Sequence, residues 1–263
     1  EANTIWNNTV LGGFLKTNIE NNELKEVTEW FSSYLRPLVF SRTELESYIT
    51  VGIDKGEINK TTIIEILKKA DLNISDIIIE DDTVAISDKI IKVFEAFDIS
   101  NDVVERLKSA PLKKLQFEHT INNSKYFLPF NLESQGTQRY FGFAGLLSLL
   151  LYHPTFIPID ELESSLHPDL YMHFILSFLT NAKFSQILGT THNREILNNK
   201  DIFRNDAIWF TDKTENCSTK LYSLADFDSS IIRDTSNVYN AYKIGKLGGV
   251  PHLQDYYLDL GNE

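Results

Sequence analysis

Apolar residues recur every three or four positions in the first hundred residues, which is the periodicity of amphipathic helices. Pro37 must stop one of these helices, and a short strand over 38–41 would follow it. The stretch 74–80 fits either a strand or a loop. Nothing in this third of the chain carries a chemical motif, so we interpret it as a helical arm or packing material. The predicted helices cover 4–20, 24–35, 61–70 and 87–97.

From residue 112 onward, short apolar runs alternate with longer helical patterns. The first two runs flank an Asn-Asn-Ser turn and predict a hairpin. The predicted strands cover 112–120, 125–132, 156–159, 186–189, 207–211 and 220–223, with helices over 138–151 and 168–179. Alternation of this kind predicts an α/β fold with a mostly parallel, buried sheet. We therefore divide the chain into a helical region, 1–111, and an α/β region, 112–263.

The composition of the chain bears on its cellular compartment and on the classes of partner it can bind. The net charge of -12 argues against a broad non-specific nucleic-acid surface, although a local basic groove or a basic partner would still allow contact. Cys217 is the single cysteine, which excludes an internal disulfide and fits a reducing cytoplasm. No apolar run reaches the length of a membrane span, and no signal peptide is visible. We expect a cytoplasmic protein that makes no membrane contact.

The strand predicted over 156–159 runs directly into Asp160 and Glu161. Two adjacent carboxylates at the tip of a buried strand are costly unless a cation or a reacting water uses them. One carboxylate could hold Mg2+, directly or through water, and the next could act as a general base. The alternative is a helix cap or a surface turn without chemistry.

Two further stretches carry candidate chemistry. Ser134 is a plausible N-cap, and Gly136 would let the backbone approach a ligand at a helix N-terminus, where anions bind. His192 follows the strand over 186–189 and would stand at the same sheet edge as the two acids, able to contact a phosphate or a water. The alternatives are that Ser134 only caps a core helix and that His192 is a loop residue.

The order of these features resembles the head of an ABC-type ATPase. Ser134–Gln135–Gly136 is similar to the ABC signature, Asp160–Glu161 to Walker B with its catalytic glutamate, 164–168 to the D-loop, and His192 to the switch histidine. The resemblance is closer to the AAA15-type ATPases of bacteria, which include Septu-type and abortive-infection anti-phage ATPases. It covers most of the chain and is strongest over 112–254. Its further motifs are T-I-W-N-N-T-V-L, F-E-H at 117–119, A-I-W-F-T-D-K, L-Y-S-L-A-D-F and Y-K-I-G-K-L-G-G-V-P.

The resemblance implies that two heads sandwich two ATP molecules as a homodimer or a higher homo-oligomer. Asp160 would orient Mg2+, in our expectation through water, Glu161 would activate the attacking water, and His192 would contact the γ-phosphate. The signature residues would reach the ATP held by the opposite head. The D-loop residues would contribute to the contact between heads. The implied signature residues are Ser134, Gln135 and Gly136, and the implied D-loop residues are Ser164, Ser165 and His167.

The sequence departs from the family pattern in two ways. It contains no G-x-x-x-x-G-K-[ST] loop, and Lys16 after Gly12–Gly13 does not supply one. We expect that the Walker A half of the head lies outside these residues and that the chain alone is inactive. Pro158 also interrupts the Walker B strand, where a proline removes a ladder N–H and could shift or bulge the strand.

The leading functional hypothesis is an ATP-hydrolysing subunit of a prokaryotic defence complex whose head dimerisation controls a separate effector nuclease. One alternative is a non-catalytic scaffold with the same head fold, motivated by the missing loop and Pro158. A less favoured alternative is a metal-dependent, Toprim-like nuclease that would use Asp160, Glu161 and Glu163.

Overall fold

The structure, a computed structural model, describes residues 9–82, 112–199, 201–228, 237–251 and 255. It divides into two compact units, Glu1–Thr191 and His192–Glu263. The sequence-based division at 111/112 stays a prediction, and the helix predicted over 87–97 lies outside the described residues. Within its described residues, the first unit has the helices α1 (Val10–Phe14), α2 (Asn22–Glu29), α3 (Glu46–Asp54), α4 (Lys60–Lys69), α5 (Gln135–Tyr152) and α6 (Pro168–Asn181).

The helix predicted over 24–35 is only partly present. Helix α2 ends at Glu29, and one π-helical turn, Trp30–Tyr34, follows it. Leu35, the residue after this turn, is extended, as expected for a helical segment that has to end before Pro37. The apolar face predicted for this helix is not buried, since Trp30 is 40% and Phe31 51% exposed. Of the helix predicted over 4–20, the described part contains α1 alone.

Three strands form an antiparallel sheet in the order β1 (Asp76–Asp82), β2 (Leu112–Ile121) and β3 (Ser124–Pro129). Their register places Ile77 opposite Phe117, and Phe117 opposite Leu128. The predicted hairpin is confirmed, and the turn residues Asn122 and Asn123 take positive φ angles of 48° and 63°. Asparagine tolerates this left-handed backbone better than most residues. The ambiguous stretch 74–80 is thus largely strand.

Parallel pairing is confined to a small part of the described fold. Strands β4 (Phe156–Ile159) and β5 (Gln186–Gly189) pair in parallel, and isolated parallel bridges join Leu35 and Val39 to β4. The other described sheets are antiparallel, so the expectation of a mostly parallel sheet is wrong. The reason is that strands joined by tight turns can only pair antiparallel, and two such hairpins dominate the described strands.

Pro158 lies within β4 without disrupting its pairing to β5. The carbonyls of Phe156 and Pro158 accept hydrogen bonds from Arg36 N and Val39 N, at 2.9 and 3.0 Å, so these residues direct their backbone polar groups away from β5. The missing N–H of Pro158 therefore falls on the side of residues 35–39. This explains why that side shows isolated bridges and why the strand predicted over 38–41 does not form.

Helix α5 is the centre of the first unit. Its residues from Tyr140 to Leu150 are all buried, and α3, α4 and α6 pack around it. Phe117 of β2 contacts Phe130 and Phe141, with ring centroids 5.6 and 5.2 Å apart. Among the described helices, including this very apolar one, none combines the length and the hydropathy needed to cross a membrane.

The second unit contains the antiparallel pair β6 (Trp209–Lys213) and β7 (Thr219–Ser223) and the short helix α7 (Val238–Lys243). Cys217 is exposed in the turn between these two strands, with a positive φ of 60°. Both strands lie close to their predicted positions. A separate apolar core holds this unit together through Leu197, Phe210, Leu224, Val238, Ala241 and Leu247.

Candidate functional site

Asp160, Glu161 and Thr190 meet at the carboxyl edge of the parallel pair. Ile159 pairs with Gly189, so the residues that follow the two strands lie side by side. The Thr190 hydroxyl donates to Asp160 Oδ1 at 2.6 Å and accepts from the Glu161 backbone N–H at 2.9 Å. One hydroxyl therefore orients the first carboxylate and fixes the backbone of the second.

Backbone hydrogen bonds reinforce this arrangement. Thr190 N donates to Ile159 O, and Leu162 N donates to Thr190 O, both at 3.0 Å. Asp160 N donates to Val39 O at 2.8 Å on the other side of β4. Glu161 adopts a left-handed φ of 48°, which costs a non-glycine residue energy unless the surroundings impose it. The bonds on both sides of Glu161 supply that constraint.

The segment after Glu161 forms a tight turn into α6. Ser164 N donates to Glu161 O at 2.9 Å, and Ser165 has a positive φ of 62°. Leu162 is buried and anchors the turn. His167 caps α6, because its Nδ1 accepts from the Asp169 N–H at 3.2 Å. The three predicted D-loop residues thus stand on one ordered turn, of which Ser165 and His167 are exposed.

Ser134 is the N-cap of α5, as the sequence predicted. Its Oγ accepts from Thr137 N at 3.1 Å, while Gln138 Nε2 donates to the carbonyls of Phe130 and Glu133 at 3.0 Å each. Ser134 and the neighbouring Gln135 are exposed. The prediction that Ser134 caps this helix is therefore confirmed. An additional role for Ser134 toward a nucleotide stays a prediction.

Gly136 lies close to the turn after β4 within the same unit. A Cβ added at Gly136 would lie 3.5 Å from Ser165 O, an ordinary contact. Gln135, Ser165 and the buried Arg139 also line a cleft of about 490 Å3 beside residues 41–46. Burial lowers the pKa of Arg139, whose Nη1 donates to Thr43 O at 3.2 Å. The structure thus brings the signature residues next to the turn that carries Ser165.

The comparison with protein families decides the wider assignment. The family model described as "AAA domain, putative AbiEii toxin, Type IV TA system" matches residues 28–198, more than half of the 263 residues. The chain belongs to this AAA family. A search of curated proteins finds no match. All the predicted site residues lie inside the matched range, so the family assignment and the candidate site concern the same segment.

The AAA domain offers oxygen ligands rather than a preformed metal cage. Asp160 contributes a carboxylate and Thr190 a hydroxyl at the edge of β4 and β5. Within the described ranges, no group of three or more His, Cys, Asp or Glu residues is placed to hold a metal. Mg2+ keeps several waters and commonly uses one or two carboxylates together with substrate phosphates, so a single oriented Asp160 fits it.

Sequence reasoning placed the two acids at the end of a strand but assigned no role to Thr190. His192, two positions later in the chain, is exposed and is the first residue of the second unit, and its function stays a prediction. The sequence does contain a signal for Thr190, because this hydroxyl residue directly follows β5. That strand pairs in parallel with β4, which precedes Asp160 and Glu161. Using this signal requires knowing that β4 and β5 are neighbours, and no turn joins these two strands directly to show it, because α6 lies between them in the sequence.

Proposed function

We propose that this AAA domain is the ATP-binding and ATP-hydrolysing part of a prokaryotic anti-phage defence complex, of the AAA15 type related to Septu and abortive-infection ATPases. The observation that carries the proposal is the Thr190 hydroxyl between Asp160 and Glu161 at the carboxyl edge of β4 and β5. Ligand crevices of open α/β sheets lie at this edge. Membership of an AAA family favours ATP hydrolysis as the reaction.

In this proposal the two carboxylates have different roles, one toward the metal ion and one toward the attacking water. Asp160, oriented by Thr190, would hold Mg2+ through water, and the ion would neutralise charge on the phosphates. Glu161 would position and activate the attacking water as a general base. His192 would contact the γ-phosphate. Catalysis of phosphoryl transfer rests mainly on positioning and charge, which suits a backbone held as firmly as that of Glu161.

The remaining predicted residues would act between copies of the chain. Ser134, Gln135 and Gly136 would reach the ATP held by the opposite head, at a helix N-terminus suited to anions. Ser164, Ser165 and His167 would contribute to the contact between heads. Because each ATP would contact two chains, nucleotide would stabilise the dimer. We place the assembly in the cytoplasm, with a separate nuclease as effector that could bring it to nucleic acid.

Glu161→Gln in the full-length protein tests this proposal. The variant keeps the size and hydrogen bonding of the side chain but removes the base, so we expect ATP binding and dimerisation to persist while turnover is lost. Size-exclusion chromatography with ATP and a phosphate-release assay measure the two properties. Glu215→Gln, which changes an exposed carboxylate in the turn between β6 and β7, is the matched control. Unchanged turnover in Glu161→Gln would contradict the assignment.

A scaffold without catalysis is the second candidate. The observation that favours it is that the sequence contains no Walker A motif. Pro158 adds nothing to this argument, because β4 pairs with β5 along its whole length. A scaffold would hold its partner with nucleotide bound only structurally or not at all, so the complex would form without any ATP turnover. The nuclease alternative gains no support, because the described residues contain no cluster of three or more acidic, histidine or cysteine ligands.

A further inference from the structure

His119 connects three separate segments of the first unit. It lies on β2, where it pairs with Tyr126. Its Nδ1 lies 2.7 Å from the backbone carbonyl of Asn73, and its Nε2 lies 2.7 Å from Glu133 Oε1. A carbonyl oxygen only accepts, so Nδ1 carries a proton. A second proton must lie between Nε2 and Oε1, whichever atom holds it. The ring is thus fixed from both sides.

The position of Glu133 makes this proton important. Its side chain is only 9% exposed, and that of His119 is 21% exposed. A carboxylate so far from water is costly unless a proton or a cation accompanies it. Glu133 also directly precedes Ser134, the N-cap of α5, and a negative charge there would repel any anion approaching the helix N-terminus. His119 offsets both effects.

Hydrogen bonds on both sides of His119 hold the two segments that its side chain contacts. On one side, Ser75 N donates to Glu118 O at 2.7 Å, which holds the segment after α4 against β2. On the other side, Gln138 Nε2 donates to Glu133 O at 3.0 Å and ties the loop to the first turns of α5. The side chain of His119 connects these two segments, through Asn73 on one side and Glu133 on the other.

We propose that His119 is a positioning residue for the first turn of α5: it holds and neutralises Glu133, so that Ser134–Gly136 can receive an anionic nucleotide phosphate. This inference rests on the proposed function, because the phosphate is the one that the signature residues would contact. His119 touches neither the nucleotide nor the reacting atoms in this account. It acts through Glu133 alone.

His119→Gln in the full-length protein is the test. It removes the imidazole that shares this proton with Glu133, which leaves an uncompensated carboxylate beside the anion-binding turn. We expect the ATP concentration for half-maximal turnover to rise about tenfold, with kcat within about twofold of the unchanged protein. Added salt should shrink the defect, because it screens the repulsion. His153→Gln, the same change at an exposed histidine at the other end of α5, should have no effect.

The double variant His119→Gln/Glu133→Gln separates charge from simple damage. It removes the uncompensated carboxylate, so half-saturation should return toward the original value, which a purely structural lesion would not do. Glu133→Gln alone, which keeps the histidine, should bind ATP at least as tightly as the original. A fall in kcat without a change in half-saturation, or no recovery in the double variant, would overturn the inference.

Hydrogen exchange without nucleotide makes the result independent of ATP hydrolysis. The amides of Thr137 and Gln138 donate to Ser134, so they report on the first turn of α5. They should exchange faster in His119→Gln, while amides near Leu147 in the helix centre stay protected and show that the protein is folded. If the unchanged protein hydrolyses no ATP, the proposed function fails, and exchange still decides the role of His119. If the amides of Thr137 and Gln138 exchange at the same rates in His119→Gln as in the unchanged protein, that role is refuted.

Discussion

A single hydroxyl organises the end of β4. Thr190 is exposed, yet it makes four hydrogen bonds, two through its backbone and two through Oγ1, to the residues from Ile159 to Leu162. Because its side chain both donates and accepts, its contact with Asp160 strengthens its contact with Glu161. The orientation of both acids therefore depends on a residue that is not itself acidic.

Replacing Thr190 by valine keeps the shape of the side chain and removes only the hydroxyl. We expect ATP turnover to fall about 10- to 100-fold, the usual cost of losing a group that orients a metal ligand. The melting temperature should change little, because the site is exposed. Thr190→Ser keeps the hydroxyl and should retain most of the activity. A phosphate-release assay over a range of Mg2+ concentrations measures the effect, and full activity in Thr190→Val would show that the contact is incidental.

Single residues differed in how well the sequence identified them. Asp160 and Glu161 could be found because a sharp change from apolar to acidic residues marks the end of a strand. Ser134 could be found because a serine before an apolar helix is a local capping signal. The pairing of His119 with Glu133, fourteen positions apart, could not be found in this way. It depends on the path that the backbone takes from the β2–β3 hairpin to the start of α5.

Among the elements, helix α5 has three glycines, and two of them, Gly136 and Gly145, have opposite surroundings. A Cβ at Gly145 would lie 2.6 Å from Cγ1 of the fully buried Ile49 on α3. A Cβ at Gly136 would meet nothing closer than Ser165 O at 3.5 Å. The fold thus explains the glycine at 145 but not the one at 136. A ligand approaching the backbone at Gly136 would explain it.

Alanine substitutions at these two positions should therefore behave differently. Gly145→Ala should lower the free energy of unfolding by about 1–3 kcal/mol, because α3 and α5 must separate. Gly136→Ala should raise it by about 0.4–1 kcal/mol, since alanine restricts the unfolded chain and suits a helix. Urea denaturation measures both.

The activity of Gly136→Ala then tests the signature role. If the backbone there contacts nucleotide, this stabilised variant should lose ATP turnover. A variant that is both more stable and fully active would remove Gly136 from the site.

The elements that the sequence predicted well are those with strong local signals. Strands β4 and β5 match the predicted ranges, and α6 begins at Pro168 as expected because proline suits the first turn of a helix. The prediction over 24–35 relied on apolar spacing, which does not distinguish an α-helix from the π-helical turn that the structure has at Trp30–Tyr34. The parallel sheet was overestimated because strand pairing is non-local, whereas the helix–strand alternation is local.

At the scale of the whole molecule, several ionisable groups favour folding only above acid pH. The hydrogen bond from Lys125, then that from Ser75, holds the pKa of Glu118 below its ordinary value. Burial alone would raise the pKa of Asp76, but Lys60 and a backbone amide outweigh it and lower that pKa. Burial, then the charge of Lys69, lowers the pKa of His173.

These shifts predict that the protein loses stability in acid. His173 is neutral in the fold and hydrogen-bonded to the Tyr140 hydroxyl, so the unfolded chain takes up a proton first as pH falls below about 6.5. Below about pH 4.5, the unfolded chain likewise protonates the acids before the folded one does. The free energy of unfolding should fall in these two steps, measured by urea denaturation from pH 8 to pH 3. Lys125→Met should weaken the lower step. Greater stability at pH 5 than at pH 7.5 would contradict the prediction.

The lone thiol in the turn between β6 and β7 makes the chain a ready subject for spectroscopy. Cys217 is the only cysteine in the printed sequence and is exposed, so within these residues a maleimide dye or a nitroxide would attach at one defined place. In a symmetric pair of chains, two such labels would report one distance. Pulsed electron resonance, with and without ATP, could therefore show directly whether nucleotide brings two copies together.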